Sequence, residues 1–154
     1  MISSAYAAGF FDGEGCVNIT VMGKTRQVSL RLMLSNTDAE ILSLFRLQFG
    51  GFLSKPRTLK EGWKPYRQWV ITGLGALEFL KFIRKNIIVK RAQVELAIEF
   101  MKFMHLPIRE RCTVHSGPID RSQKTPIISR KPETIATELS FKDRMHILNK
   151  KGVA

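Results

Sequence analysis

The sequence predicts an α+β domain, and three observations carry that prediction. Residues 16–22 and 27–34 alternate apolar and polar side chains with the period of two that a half-buried strand requires. Two further strand-like stretches, 52–57 and 66–72, flank a loop containing Glu61-Gly62. Helical spacing precedes each strand pair and dominates residues 74–105, so the order over this part reads αββαββαα.

Each element has a local reason. Ser3 or Ser4 can cap a first helix that reaches Phe11 or Asp12, where Gly13 and Gly15 are expected to break it. In the first strand Val17, Ile19 and Val21 form one face, with Cys16, Asn18, Thr20 and Met22 on the other. After Gly23-Lys24-Thr25, Val28, Leu30, Leu32 and Leu34 alternate with Gln27, Ser29, Arg31 and Met33, which predicts a hairpin. Thr37-Asp38-Ala39-Glu40 reads as a capping box for a helix to about Gln48, with Ile41, Leu44, Phe45 and Leu47 on its apolar side and Gly50-Gly51 after it. Leu77, Leu80 and Ile83 mark the next helix, and Val94, Ala97, Ile98 and Met101 the one after. The Phe100, Met101, Phe103, Met104 cluster reads as core. Four prolines between 106 and 132 predict a surface connector. Pro132 then opens a last helix carrying Ile135, Leu139, Met145 and Leu148. The division expected is a core over 1–105 and a basic connector with C-terminal helix over 106–154, both within one domain.

Composition narrows the partners. The chain has 154 residues, 44% of them hydrophobic, and a net charge of +12 from 25 basic and 13 acidic side chains. That charge points to a polyanion, nucleic acid first, because each Lys or Arg set against a phosphate releases condensed counterions. A basic structural protein or a membrane-surface helix carries similar charge, and composition does not separate them. No apolar run is long enough to span a bilayer, and the first residues lack the basic and apolar regions of a secretory signal. Cys16 and Cys112 are too few for a disulfide framework and fit a reducing compartment. Cys112 and His115 lack the second ligand pair of a zinc site.

The charge is unevenly placed. Residues 1–22 hold no Lys or Arg and only Asp12 and Glu14 as charged side chains, whereas residues 51–72 hold five basic residues against Glu61. Within the acidic opening, Ala5, Ala8 and Gly9 leave a helix surface without bulk, on which a second helix could pack closely. Asp12 and Glu14 fall at the C-terminal end of that helix, where the dipole disfavours anions. A divalent cation would relieve this, since the Glu14 carboxylate and the Gly13 carbonyl are hard oxygen ligands.

The stretch Ala7-Ala8-Gly9-Phe10-Phe11-Asp12-Gly13-Glu14-Gly15 resembles the signature of the LAGLIDADG homing endonucleases, and the element order over residues 1–105 resembles their αββαββα core. The resemblance implies a saddle-shaped antiparallel sheet with an additional C-terminal helix. It implies a catalytic, metal-binding role for Glu14 with Gly13 beside it, and a Mg²⁺ cofactor for which Mn²⁺ or Ca²⁺ can substitute in binding. Lys90 resembles the family's basic residue near the metal-bound water or the cleaved phosphate. Asn36 stands where the family has a polar residue, often Gln, that orders the nucleophilic water. With one motif in 154 residues, a second copy of the chain must supply the other module. That predicts a twofold homodimer through Ala5, Ala8, Gly9 and Asp12.

The family's activity would then be double-strand cleavage of a long, near-palindromic DNA target with staggered ends. A two-stranded ribbon fits the major groove. Alternation puts Asn18, Thr20, Met22, Gln27, Ser29, Arg31 and Met33 on the groove face, with Lys24 and Arg26 at the hairpin tip. Ser54, Arg57, Arg67 and Gln68 are the candidates from the second hairpin, and Arg130 with Lys131 could clamp a phosphate before the last helix. The competing functions are an RNA maturase that assists intron splicing and a catalytically silent DNA-binding protein. Glu14 and Lys90 together disfavour the silent form. The resemblance implies a chloroplast or mitochondrial origin, or a microbial cytoplasm; no membrane or small-molecule partner is expected.

Overall fold

The computed structural model of the chain describes residues 1–22, 27–115 and 127–150. Helix α1 (Ser4–Glu14) opens on Ser3, whose hydroxyl accepts a hydrogen bond from the Tyr6 N–H at 3.2 Å. It continues past the expected end at Phe11 or Asp12, because Gly13 stays helical and the chain departs only at Gly15. Gly15 has an ordinary φ of −85°. Glycine is needed there by close approach: a Cβ would lie 2.4 Å from the Phe11 carbonyl oxygen. Strand β1 (Gly15–Met22) therefore leaves the helix with no intervening loop, and Glu14 sits at the junction.

Strand β2 (Gln27–Asn36) pairs antiparallel with β1, Gly15 opposite Leu34. Helix α2 (Ala39–Phe49) is capped by Asp38, one residue later than the capping box predicted. Its carboxylate accepts from the Glu40 and Ile41 N–H groups at 2.9 and 3.3 Å. The buried face of α2 is Leu42 and Phe45, while Leu44 and Leu47, expected inside, are exposed. Gly50, at φ +76°, ends the helix. Strands β3 (Phe52–Leu53) and β4 (Arg67–Thr72) complete a sheet in the order β1-β2-β4-β3. The expected long partner of β4 is cut to two residues, followed by one further bridge between Arg57 and Tyr66.

One face of this sheet is apolar. Val17, Ile19, Val28, Leu30, Leu32, Leu34, Trp69 and Ile71 are all at most 4% exposed. Helix α3 (Gly73–Ile83) and helix α4 (Arg91–Met104) share a core with α1 and α2 on that side. Its centre is aromatic: Phe79 lies 5.3 Å from Phe11 and 5.2 Å from Trp69 between ring centroids, and Phe45 lies 5.5 Å from Trp69. The buried Trp69 N–H donates to the Gly50 carbonyl at 2.8 Å, so its one polar atom is satisfied.

The C-terminal third differs from the expected connector. A short helix α5 (Ile108–Arg111) leads into strands β5 (Cys112–His115) and β6 (Ile127–Arg130), which form a second, two-stranded sheet. Helix α6 (Pro132–Lys150) begins at Pro132 as predicted, and of the row expected inside Met145 is buried and Leu148 packs partly on the core, but the first half of the row is not the buried one. Thr134, Glu138, Phe141 and Met145 are inside, whereas Ile135 and Leu139 are 38% and 40% exposed. Phe141 packs on Phe100 and Phe103, which carries α6 into the common core. Asn149 donates to the Val17 carbonyl at 2.9 Å, so α6 covers the free edge of β1. No helix among the described residues is long and apolar enough to cross a membrane.

Candidate functional site

The C-terminal end of α1 brings together Asp12, Glu14 and Lys90. Glu14 is exposed, and its carboxylate has no hydrogen-bond or ion-pair partner among the described residues. Asp12 is engaged within the chain. Its Oδ2 accepts from the N–H groups of Ile88 and Val89 at 2.8 and 3.2 Å, and its Oδ1 from the Lys90 N–H at 2.9 Å. The Lys90 ammonium donates in turn to the Asp12 backbone carbonyl. That carbonyl belongs to the last turn of α1, whose oxygens lack intrahelical donors, and a cation is favoured there by the helix dipole.

The segment from α3 to α4 follows α1 along its length. Asn86 donates to the Ser4 hydroxyl at 2.8 Å near the start of α1, and residues 88–90 meet Asp12 near its end. Arg84 grips Glu95 through two bonds of 2.7 Å, tying the end of α3 to α4. The guanidinium holds the Glu95 carboxyl below its ordinary range, and the same hydrogen bond raises Arg84.

Asn36 ends β2 two residues beyond Leu34, the partner of Gly15, and so lies at the same end of the sheet as Glu14. Its Oδ1 accepts from the Asp38 N–H at 2.8 Å, which commits that oxygen to the turn into α2.

The outward face of α1 carries a small stripe beside the exposed Tyr6. Ala5, Gly9 and Gly13 are exposed, and a Cβ built on Gly9 or Gly13 would meet nothing within 4 Å. Ala8, expected at an interface, is fully buried with Ala7 and Phe11 against the chain's own core. The reason is tertiary: α3 and the sheet lie against the side of α1 that carries Ala7, Ala8 and Phe11, which leaves Ala5 and Gly9 outward. Two residues beside α1 went unnoticed in the sequence. Ile88 and Val89 are 78% and 75% exposed, and the only signal was a pair of β-branched apolar residues between two helices.

For a cation, the described residues at this helix end offer two oxygen donors. The unpaired Glu14 carboxylate and the last-turn Gly13 carbonyl are suitable oxygen donors. Among the described residues there is no cluster of three His, Cys, Asp or Glu side chains that could hold a metal alone.

The second face of the sheet carries Asn18, Thr20, Ser29, Arg31 and Met33, with Gln68 from β4, all half-buried. The strands β1, β2 and β4 contain no acidic residue. Arg31 lies across from Asn18 and Thr72, its Nε buried without a partner among the described residues. Gln68 donates to the Ser35 hydroxyl at 3.0 Å on this face.

Three expected contacts are corrected. Ser54 is 5% exposed, and its hydroxyl accepts from the Gln68 N–H at 2.9 Å, which makes it part of the hairpin ladder. Arg67 has the strand parity of Trp69 and Ile71 and donates its Nε–H to the Ser54 carbonyl at 2.8 Å. Arg130 pairs with the fully buried Glu138 at 2.5 Å, so its charge serves an internal partner. Lys131 donates its N–H to the Arg111 carbonyl just ahead of α6. Lys24, Arg26 and the side chains of Met22 and Gln27 lie outside the described residues.

Arg57 is exposed in the β3–β4 loop, together with Lys55, Lys60 and Lys64. Trp63, which the sequence reading passed over, is 58% exposed on the same loop with the Lys60 ammonium 5.4 Å from its ring. Also missed were Lys142, His146 and Asn149 of α6, which line a hollow with Asn18 and Thr20.

No protein-family model matches the sequence, and no curated relative does. Solved structures do match. The homing endonuclease I-CvuI, in complex with its DNA target in the presence of 2 mM Ca, is 20% identical with a TM-score of 0.67, over 94% of this chain and 80% of that one. The homing endonuclease I-TnaI is 16% identical with a TM-score of 0.63, over 97% of each chain. Meganuclease I-SmaMI, bound to uncleaveable DNA, is 16% identical with a TM-score of 0.59; 92% of this chain matches 44% of that one. The chain thus has the α+β fold of the LAGLIDADG homing endonucleases.

Proposed function

We propose that the protein is a site-specific DNA endonuclease of the LAGLIDADG type, acting as a homodimer in a divalent-cation-dependent phosphodiester hydrolysis. The observation that carries this reading is the free Glu14 carboxylate at the helix-strand junction, with the Lys90 ammonium held on the same helix end. Each chain would contribute one Glu14 at the centre of the dimer and one polar sheet face to a DNA half-site. A bound Mg²⁺ would supply water activation and charge neutralisation on the phosphate. Glu14 would hold the cation, and the Lys90 ammonium would offset charge on the phosphate being cleaved.

Two observations support a second copy. Gly9 and Gly13 each cost their helix about 1 kcal/mol relative to Ala, and no contact among the described residues explains them. Nearly the whole of this chain also corresponds to less than half of I-SmaMI.

The test is selection of cleaved duplexes from a randomised DNA library in Mg²⁺. A near-palindromic consensus with staggered ends is expected. On a selected target, Glu14→Gln should bind within about tenfold of wild type in Ca²⁺ and fail to cut in Mg²⁺, because the amide keeps the shape and loses the charge. Wild-type cutting by the variant would remove Glu14 from the chemistry. Binding to intron RNA, with no cleavage of any duplex, would support the maturase reading instead.

A further inference from the structure

We propose that Asp12 is a positioning residue that holds Lys90 in place at the candidate active site. Its two carboxylate oxygens take three successive backbone N–H groups, from Ile88, Val89 and Lys90, at 2.8, 3.2 and 2.9 Å. Four residues of chain separate the end of α3 at Ile83 from Ile88, and Ile88 and Val89 are largely solvent-exposed, so side-chain packing does little to fix this turn. Ile87 alone is buried there. The N–H groups just before α4 would otherwise be left to water, and an anion at a helix N-terminus is favoured by the dipole.

The same residue supplies the second anchor. Lys90 bends back so that its ammonium meets the Asp12 carbonyl, and the turn and the ammonium are both referenced to one position on α1. Asp12 precedes Glu14 by two residues in the same helix. The distance between the carboxylate and the ammonium of the site is therefore set by one rigid element, which a loop lysine could not achieve alone. The proposal rests on the endonuclease reading for its catalytic meaning, while the link from Asp12 to Lys90 is a property of the chain by itself.

The experiment has two arms. In the metal-free protein, lysines are acetylated with N-hydroxysuccinimide acetate and their rates read by mass spectrometry. Lys90 should react about tenfold more slowly than exposed Lys85, and Asp12→Asn should erase the difference while Lys85 and Lys102 keep their rates. Lys90 labelling that is equal in wild type and Asp12→Asn overturns the proposal. If the Asn variant does not fold, Asp12→Ser takes its place, with the same expected direction.

The second arm is a double-mutant cycle on single-turnover cleavage. Asp12→Asn should lower the rate on the order of a hundredfold, as misplacement by about 1 Å can. In a Lys90→Met background it should lower it no further, since both changes remove one function. A fully additive loss would mean that Asp12 acts by some other route, and would overturn the proposal. A wild type that cuts no duplex would sink the endonuclease reading, and the acetylation arm would still decide whether Asp12 positions Lys90.

Discussion

Arg31 sits in the middle of the polar sheet face, opposite Asn18 and Thr72, with its inner nitrogen buried and without a partner among the described residues. A buried donor without a partner costs roughly 1–3 kcal/mol, so retaining arginine there needs a return from outside the fold. If it reads a guanine, Arg31→Ala should weaken binding to the native target by ~1–3 kcal/mol and relax one base pair in each half-site. The folded protein should lose no stability. Titrating a set of single-base target variants checks this, and a uniform loss across all of them would assign Arg31 to a phosphate. At this scale the sequence was informative where residues belong to a motif or a strict alternation. The placement of Glu14 at the end of the first helix, and the shared sheet face of Asn18, Thr20, Ser29, Arg31 and Met33, were legible. Ser54 and Arg67 were not, because the hairpin around them has one two-residue strand and a single bridge, and parity cannot be counted through an irregular loop.

Helix α6 shows what periodicity misses at the scale of an element. Its inward row runs Thr134, Glu138, Phe141, Met145, at helical spacing but polar in its first half, so an apolar pattern search finds Met145 and misplaces the turns before it. The charge in that row is answered by Arg130, which lies in β6 and follows the undescribed residues 116–126. Breaking a buried pair from one side leaves an uncompensated charge. Arg130→Met should therefore destabilise the protein by about 3–5 kcal/mol in urea unfolding, and Arg130→Met with Glu138→Leu should recover most of the loss. If the single variant is as stable as wild type, the pair does not hold the second sheet to α6. The four-residue strands β5 and β6 were unreadable for a simpler reason: proline-rich flanks and so short a run give no alternation to count.

For the whole molecule the question is assembly. Gly9 faces outward with open space where a side chain would go, so Gly9→Leu meets no obstacle among the described residues and should raise helix stability by about 0.5–1 kcal/mol. Between two closely packed α1 helices the same side chain is a wedge, costing roughly 1–3 kcal/mol at each contact. Sedimentation should find wild type at twice the chain mass at micromolar concentration and Gly9→Leu as a stable monomer. A dimeric Gly9→Leu protein would place the interface elsewhere. Ile88→Asp should act in the same direction, since Ile88 is exposed beside that helix.

Whatever depends on neighbours along the chain is legible without the fold. The element order as far as α4, the two faces of the first hairpin, and the position of Glu14 all follow from spacing, capping and a nine-residue motif. Tertiary structure decided which small residues of α1 face inward, so that Ala8 is buried and Gly9 is free, because that depends on where the sheet lies against the helix. It also decided the partner of Asp12. A carboxylate at a helix end can serve a metal, a second chain or a turn, and only the folded backbone brings three N–H groups from 76 to 78 residues away to claim it.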